Sequence, residues 1–133
     1  MGTSSQAQIL PTAYAATYTA ASAIDFGCAV SYPDSSGQVS PVNVGECMGV
    51  AANAVDSGEI VFVVLSGPAY VRISGSVPFG TSGMLKPDTG GVFIAAGADE
   101  TSQVRCIPDA AQGDTANNDD IVRALVGVGA VHS

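Results

Sequence analysis

The chain offers little to an enzyme. Its one imidazole is His132, and a Ser-His-Asp or Cys-His nucleophile needs that ring held rigidly beside the attacking atom, whereas a residue next to the last tends to fray. Cys28, Cys47 and Cys106 are far apart, with no Cys-x-x-Cys pair, which argues against a structural zinc site. In contexts such as Glu46-Cys47-Met48-Gly49-Val50 they read as small buried hydrophobes of a reducing compartment, with a Cys28–Cys47 disulfide left open. Gly80-Thr81-Ser82-Gly83 matches neither a nucleophile elbow nor a phosphate loop and reads as a turn. Gly127-Val128-Gly129 has no helix after it to hold a dinucleotide pyrophosphate. Asp114, Asn117, Asn118, Asp119 and Asp120 gather oxygens, but not at the spacing of a calcium-binding loop. The twelve acids supply many pairs and no spacing that singles one out as acid and base. The expectation is a non-enzyme with no catalytic residue, no metal and no cofactor.

What must position these residues is an unusual surface. Charged residues are 12% of the 133, where about 25% is typical of soluble domains, and apolar residues reach 47%. Much of the exterior is then Ala, Gly, Ser, Thr and Val, a surface that suits an oligomer or a lattice component covered by neighbours. The alternative is a compact monomer kept soluble by its net charge of -8. Only Arg72, Lys86, Arg105 and Arg123 are basic, and no two are close in sequence, which argues against nucleic acid and anionic membrane as partners. No apolar stretch approaches the roughly 20 residues of a membrane span. Tryptophan is absent and aromatics are 6%, so stacking platforms for sugars or bases are poor.

Residues 1–24 carry no charged side chain, and this composition shift sets an N-terminal arm, 1–24, apart from a domain over 25–133. Ala21-Ser22-Ala23 imitates a signal-peptidase site, but nothing basic and no apolar core precedes it, so the segment reads as an arm and not as a signal. Ile9, Leu10, Tyr14 and Tyr18 could order against a partner; a short alanine-favoured helix on the chain's own domain is the other reading. Beyond Asp25 the chain reads as short strands broken by Gly, Pro, Asp and Ser: 26–32, 39–44, 47–52, 59–65, 69–74, 91–96, 103–107 and 121–131. Ile60-Val61-Phe62-Val63-Val64-Leu65 is apolar on both parities, which predicts a strand covered on both faces. A turn at Ser66-Gly67-Pro68 should fold it into a hairpin with Tyr70-Val71-Arg72-Ile73-Ser74. The last strand puts Ile121, Arg123 and Leu125 on one side and Val122, Ala124 and Val126 on the other. Pro108 to Asp120 reads as an exposed loop, and helix should be scarce. The expected class is all-β, a small barrel or sandwich.

The order of pieces from Met48-Gly49-Val50-Ala51-Ala52, through Asp56-Ser57-Gly58-Glu59 and Ile60–Gly67, to Tyr70-Val71-Arg72-Ile73-Ser74-Gly75 resembles the small head-decoration (capsid cement) proteins of tailed phages. It continues through Val77-Pro78-Phe79-Gly80, Gly83-Met84-Leu85-Lys86 and Thr89-Gly90-Gly91-Val92 to Val122-Arg123-Ala124-Leu125-Val126, covering about residues 26–131. Ser57, where that family has a small apolar residue, and the length of the 108–120 loop depart from its pattern. The resemblance implies a β-barrel or β-tulip-like domain, commonly a homotrimer. Such a protein sits on the outer surface of an expanded capsid, made in the host cytoplasm, and bridges subunits of the major capsid protein. Ile9, Leu10, Tyr14 and Tyr18 are then candidates to bind the capsid, and Tyr70, Arg72, Pro78 and Phe79 candidates for subunit contacts. The rivals are a tail-tube or fibre subunit, which would polymerise, and a small ligand-binding barrel using its acids.

Overall fold

A computed structural model describes residues 7–42, 47–75, 77–78, 84–95, 101–106, 115–116 and 121–131. Among them the fold is all-β, with eleven strands and a single 3₁₀ turn at Thr89–Gly91. The strands are β1 (Tyr14–Ala20), β2 (Ala29–Val30), β3 (Gln38–Val39), β4 (Gly49–Ala51), β5 (Ile60–Arg72), β6 (Val77–Pro78), β7 (Met84–Pro87), β8 (Phe93–Ala95), β9 (Thr101–Cys106), β10 (Thr115–Ala116) and β11 (Ile121–Val131). Nine form one sheet along the path β2-β4-β5-β11-β9-β7-β8, with β1 joined to β5 and β3; β6 and β10 make a separate ribbon.

The spine is β5. Its first half meets the expectation of a doubly covered strand, since all-apolar alternation leaves neither face fit for water. Val61 and Val63 belong to one buried cluster with Ala20, Ile24, Val30 and Val39, while Val64 belongs to another with Val50, Leu85 and Phe93. Past Leu65 the parity changes: Ala69, Val71 and Ile73 join the cluster of Val64, although an unbroken alternation from Val64 would send them to the opposite side, and the ladder to β1 slips there, with Ala15 paired to Val64 and Tyr14 to Ser66. The extra residue, Leu65, is a bulge in the strand, and Gly67 follows it with φ at +94°, a conformation that side chains resist.

The expected hairpin at Ser66-Gly67-Pro68 is therefore corrected to one continuous strand of 13 residues. A Gly-Pro pair punctuates a strand either by turning it or by bulging it, and here the partners decide. β1 and β4 hold 60–66 from Thr19↔Ile60 to Tyr14↔Ser66, and β11 holds 67–72 from Val126↔Gly67 to Ile121↔Arg72.

The reading of residues 1–24 as an arm is corrected over 14–24, and so is its helical alternative. β1 runs antiparallel along β5 and parallel to β3, and Ala20 and Ile24 are fully buried. Burial explains the lack of charge at Ala20 and Ile24, while Tyr14, Thr17 and residues 21–23 are exposed and uncharged. Tyr and Thr at alternate places in Tyr14-Ala15-Ala16-Thr17-Tyr18-Thr19 suit a strand as well as alanine suits a helix, and tertiary pairing overrides propensity.

On the other side of β5 the sheet curls round. The bridge Ile73↔Phe93 and the hydrogen bond from Ser74 N–H to Phe93 O (2.8 Å) bring β8 back to the end of β5. The strands β5, β11, β9, β7 and β8 thus form a ring closed at its last joint by a single bridge. Its interior is the cluster of Ala69, Val71, Ile73, Leu85, Phe93, Val104, Val122, Ala124 and Val126.

Side chains pin the edges of this frame. The buried Asn53 accepts from Phe62 N–H (2.9 Å) and donates to Ile60 O (3.4 Å), satisfying the start of β5. In the turn Asp56–Glu59 the Glu59 carboxylate accepts from Asp56 N–H (2.7 Å), and Ser57 Oγ donates to Ala21 O (3.0 Å). That bond ties the turn to the end of β1 and gives the polar Ser57 a structural task.

Candidate docking face

The acids and the cations segregate by element. Among the described residues, the acids Asp25, Asp34, Asp56, Glu59 and Asp88 all fall outside strands. All four basic residues fall inside strands, one on each of four consecutive neighbours in the ring: Arg72 on β5, Arg123 on β11, Arg105 on β9 and Lys86 on β7.

The register lines them up. Arg72 pairs with Ile121, two positions before Arg123; Arg105 pairs with Leu125, two positions after Arg123, and with Met84, two positions before Lys86. Each step crosses one strand and moves two residues in the same direction, so the four positions form a diagonal. Diagonal neighbours of this kind stand roughly 7–8 Å apart.

The ladder also sets the face. Inward-facing Val71, Val122, Ala124, Val104 and Leu85 are buried, and alternation places positions 72, 123 and 86 on the outside of the ring. Arg123 is exposed, while Arg72 and Lys86 are half-buried. Beside them Ile121 and Leu125 are 37% and 40% exposed, and Pro68, Tyr70 and Ile94 are half-covered.

Arg72 is held most firmly. Its backbone N–H donates to Gly27 O (2.9 Å), and the ring of Phe26 from the same loop tilts against Tyr70 at 6.1 Å. Its side chain reaches the Cys28 thiol, whose pKa is nonetheless pushed up to about 11: burial and then the Asp25 carboxylate oppose the thiolate more than Arg72 favours it. The Arg72 Nε is buried and has no acceptor among the described residues. Cys28 and Cys47 are both buried thiols, so the disulfide left open in the sequence does not form between them.

Of the residues singled out in the sequence, Tyr70 and Arg72 share this face. Ile9 and Tyr14 are exposed at 42% and 63%, Leu10 is half-buried, and Tyr18 is half-buried against the cluster of Val61 and Val63. These four lie before or along β1, beside the first half of β5, so the two groups occupy different parts of the sheet. Pro78 is described only in its backbone pairing with Thr115, and Phe79, Gly80–Gly83, His132 and most of 108–120 lie outside the described residues. Among the described residues no group of His, Cys, Asp or Glu could hold a metal ion, and no helix is long and apolar enough to cross a membrane.

Comparison with known proteins gives a fold. No family model matches the chain, and no curated protein sequence matches it significantly. Among solved structures, the N base of the head fibre gp8.5 of bacteriophage phi29 superposes with a TM-score of 0.66 at 13% identity, covering 92% of this chain and all of that one. The chain is similar in architecture to that fibre base over nearly its whole length.

Proposed function

We propose that the chain is a structural protein of a bacteriophage virion that binds the outside of the expanded head and stabilises it by bridging subunits of the major capsid protein. The observation that carries this reading is the fold shared with the base of a phage head fibre. The scarcity of charge supports it, because a surface with 12% charged residues suits a molecule partly covered by neighbours. No bond is made or broken. A protein that binds only the expanded shell stabilises it by RT ln(1 + [L]/Kd), about 2.7 kcal/mol at a hundredfold excess over Kd. If the chain acts as a homotrimer, three linked contacts raise one another's effective concentration.

Ile9 and Tyr14 belong to the reading as capsid contacts, being large, exposed and uncharged. Deleting the whole segment would remove β1, so single changes are the proper test: Ile9→Ser and Tyr14→Ser should lower occupancy on heads while leaving the melting temperature within a few degrees. The reading as a whole is tested by mixing the purified chain with expanded and with unexpanded empty heads. Selective co-sedimentation with expanded heads, together with a raised melting temperature of those heads, is the expected result. Binding to neither sinks it.

The same structural neighbour favours a second reading, in which the chain is the anchoring base of a fibre. A fibre base would sediment with heads and leave their melting temperature unchanged.

A further inference from the structure

We infer that the turn at residues 56–60 seats an extended segment of a different protein, one that carries a basic residue where it meets Glu59. The identity of that protein rests on the head-binding reading, which this site makes specific. The basis is an internal repeat. Residues 20–30 and 51–61 share the pattern Ala-Ala-x-Ala-x-Asp-x-Gly-x-x-Val and are identical at six of eleven places.

The two copies clasp each other about a local pseudo-twofold. Ile24 and Val55 exchange N–H to O bonds of 3.0 and 2.9 Å. Gly27 N–H donates to Ala51 O (2.9 Å) as Gly58 N–H does to Ala20 O (2.7 Å), and Ala51 N–H donates to Cys28 O as Ala20 N–H does to Glu59 O, both at 2.9 Å. Each Asp-x-Gly turn closes in the same way, Cys28 N–H onto Asp25 O and Glu59 N–H onto Asp56 O, with its glycine at φ +82° or +86°. Ala20, Ile24 and Val30 share one buried cluster with Ala51, Val55 and Val61.

The two turns match in backbone and differ in cover. On the first, Arg72 N–H donates to Gly27 O (2.9 Å), and a Cβ on Gly27 would stand 3.0 Å from Arg72 N and 3.3 Å from Val71 C, so strand β5 lies flat on the bare glycine. Phe26 tilts against Tyr70, and the Cys28 thiol hydrogen-bonds with Arg72. On the second, nothing among the described residues comes within 4 Å of a Cβ on Gly58, and Ser57 and Gly58 are exposed. Ile60 is 52% exposed, whereas its counterpart Ala29 is fully buried. The chain thus displays one turn filled and its twin open, and the filling of the first describes what fits the second: an extended segment laid on Gly58 with an N–H aimed at its carbonyl, as in strand addition.

Side chains narrow the occupant. Glu59 takes the place of Cys28, with Asp56 in the same turn, so the position of Arg72 is best matched by Lys or Arg, and an apolar neighbour would cover Ile60. A phosphate backbone would be repelled by the two acids. A second copy is a poorer source, because its own segment 70–72 is already seated on its own Gly27.

The test compares the full chain with Gly58→Asn, Ile60→Ser and Glu59→Gln in binding to expanded empty heads. Asparagine tolerates the left-handed conformation and fills the open space over the turn, so Gly58→Asn should keep the fold and weaken binding about tenfold; Ile60→Ser and Glu59→Gln should each weaken it about threefold. Heads that bind all four chains equally would overturn the inference while leaving head binding intact. A self-associated parent that Gly58→Asn splits into monomers would assign the turn to a second copy and overturn it too. Should the parent fail to bind heads, the head-binding reading falls and the turn is judged separately: the isotope-labelled full chain is titrated with the peptide Ala-Tyr-Val-Arg-Ile-Ser, the sequence of residues 69–74. Saturable shifts centred on residues 56–60 and lost in Gly58→Asn uphold the inference, and no shifts there overturn it.

Discussion

Replacing Gly67 by alanine is the sharpest test of how the spine of this fold is built. Two separate costs follow from the structure. At φ +94° any L side chain is strained, by about 1–2 kcal/mol. An added Cβ would also stand 3.0 Å from both Ala13 Cα and Thr12 O, backbone atoms that lead directly into β1. Thr12 is itself at φ +69°, so that corner has little freedom to yield, and forced overpacking of this kind adds about 1–3 kcal/mol. Gly67→Ala should thus cost about 2–5 kcal/mol in all. Gly37→Ala supplies the control: its φ is +79° and nothing lies within 4 Å of the new carbon, so it should cost only the conformational part, about 1–2 kcal/mol. Urea unfolding followed by far-ultraviolet circular dichroism measures both, tyrosine fluorescence giving a second probe in a chain without tryptophan. If the two substitutions cost the same within 0.5 kcal/mol, the close passage of the 12–13 corner over the bulge contributes nothing and the reasoning fails.

Asn53→Ala should cost about 1–3 kcal/mol in the same assay, because Phe62 N–H loses its acceptor inside the protein; a loss below about 0.5 kcal/mol would show that water replaces the amide. Phe93→Ala empties the middle of the ring beside its closing bridge and should cost about 3–5 kcal/mol, read as a fall in the urea midpoint. Cys28, with its pKa raised to about 11, should resist alkylation at pH 8 until the protein unfolds, as followed by mass. The raised pKa means that between the ordinary thiol value near 9 and about 11 the unfolded chain gives up a proton the folded chain keeps, so stability should fall as pH rises through that window. Cys28→Ser should flatten the slope, and an unchanged slope would place its origin elsewhere.

Local patterns told most about the strands that bury both faces or alternate cleanly. The run 60–65 and the alternation over 121–126 were legible because each residue's neighbours already state which side is dry. What escaped were features set by distant pairing. Ser66-Gly67-Pro68 carries the same local signal for a turn as for a bulge, and only the presence of β1, β4 and β11 along β5 selects the bulge. Residues 14–20 lack β-branched aliphatics, so their strand depends on the ladder offered by 60–66. Met84–Pro87, a strand absent from the sequence expectation, is likewise held by β8 and β9. The cationic row was hidden most thoroughly. Its members are scattered along the chain, and only the antiparallel register brings their backbone positions into line, since separation along the chain says little about separation in space.

The way β5 recruits its neighbours also constrains when the protein can form. Its first half waits for β1, made well before it, and its second half for residues 121–126, made long after. Closing such distant pairs is slow, and half the strand stays without its ladder until the last strand has emerged. Folding of this sheet should therefore complete only once residues 121–126 have been made, as one cooperative event. Until that moment Tyr70, Arg72 and their side of the sheet do not exist as a surface, so no half-made chain can present it to a partner.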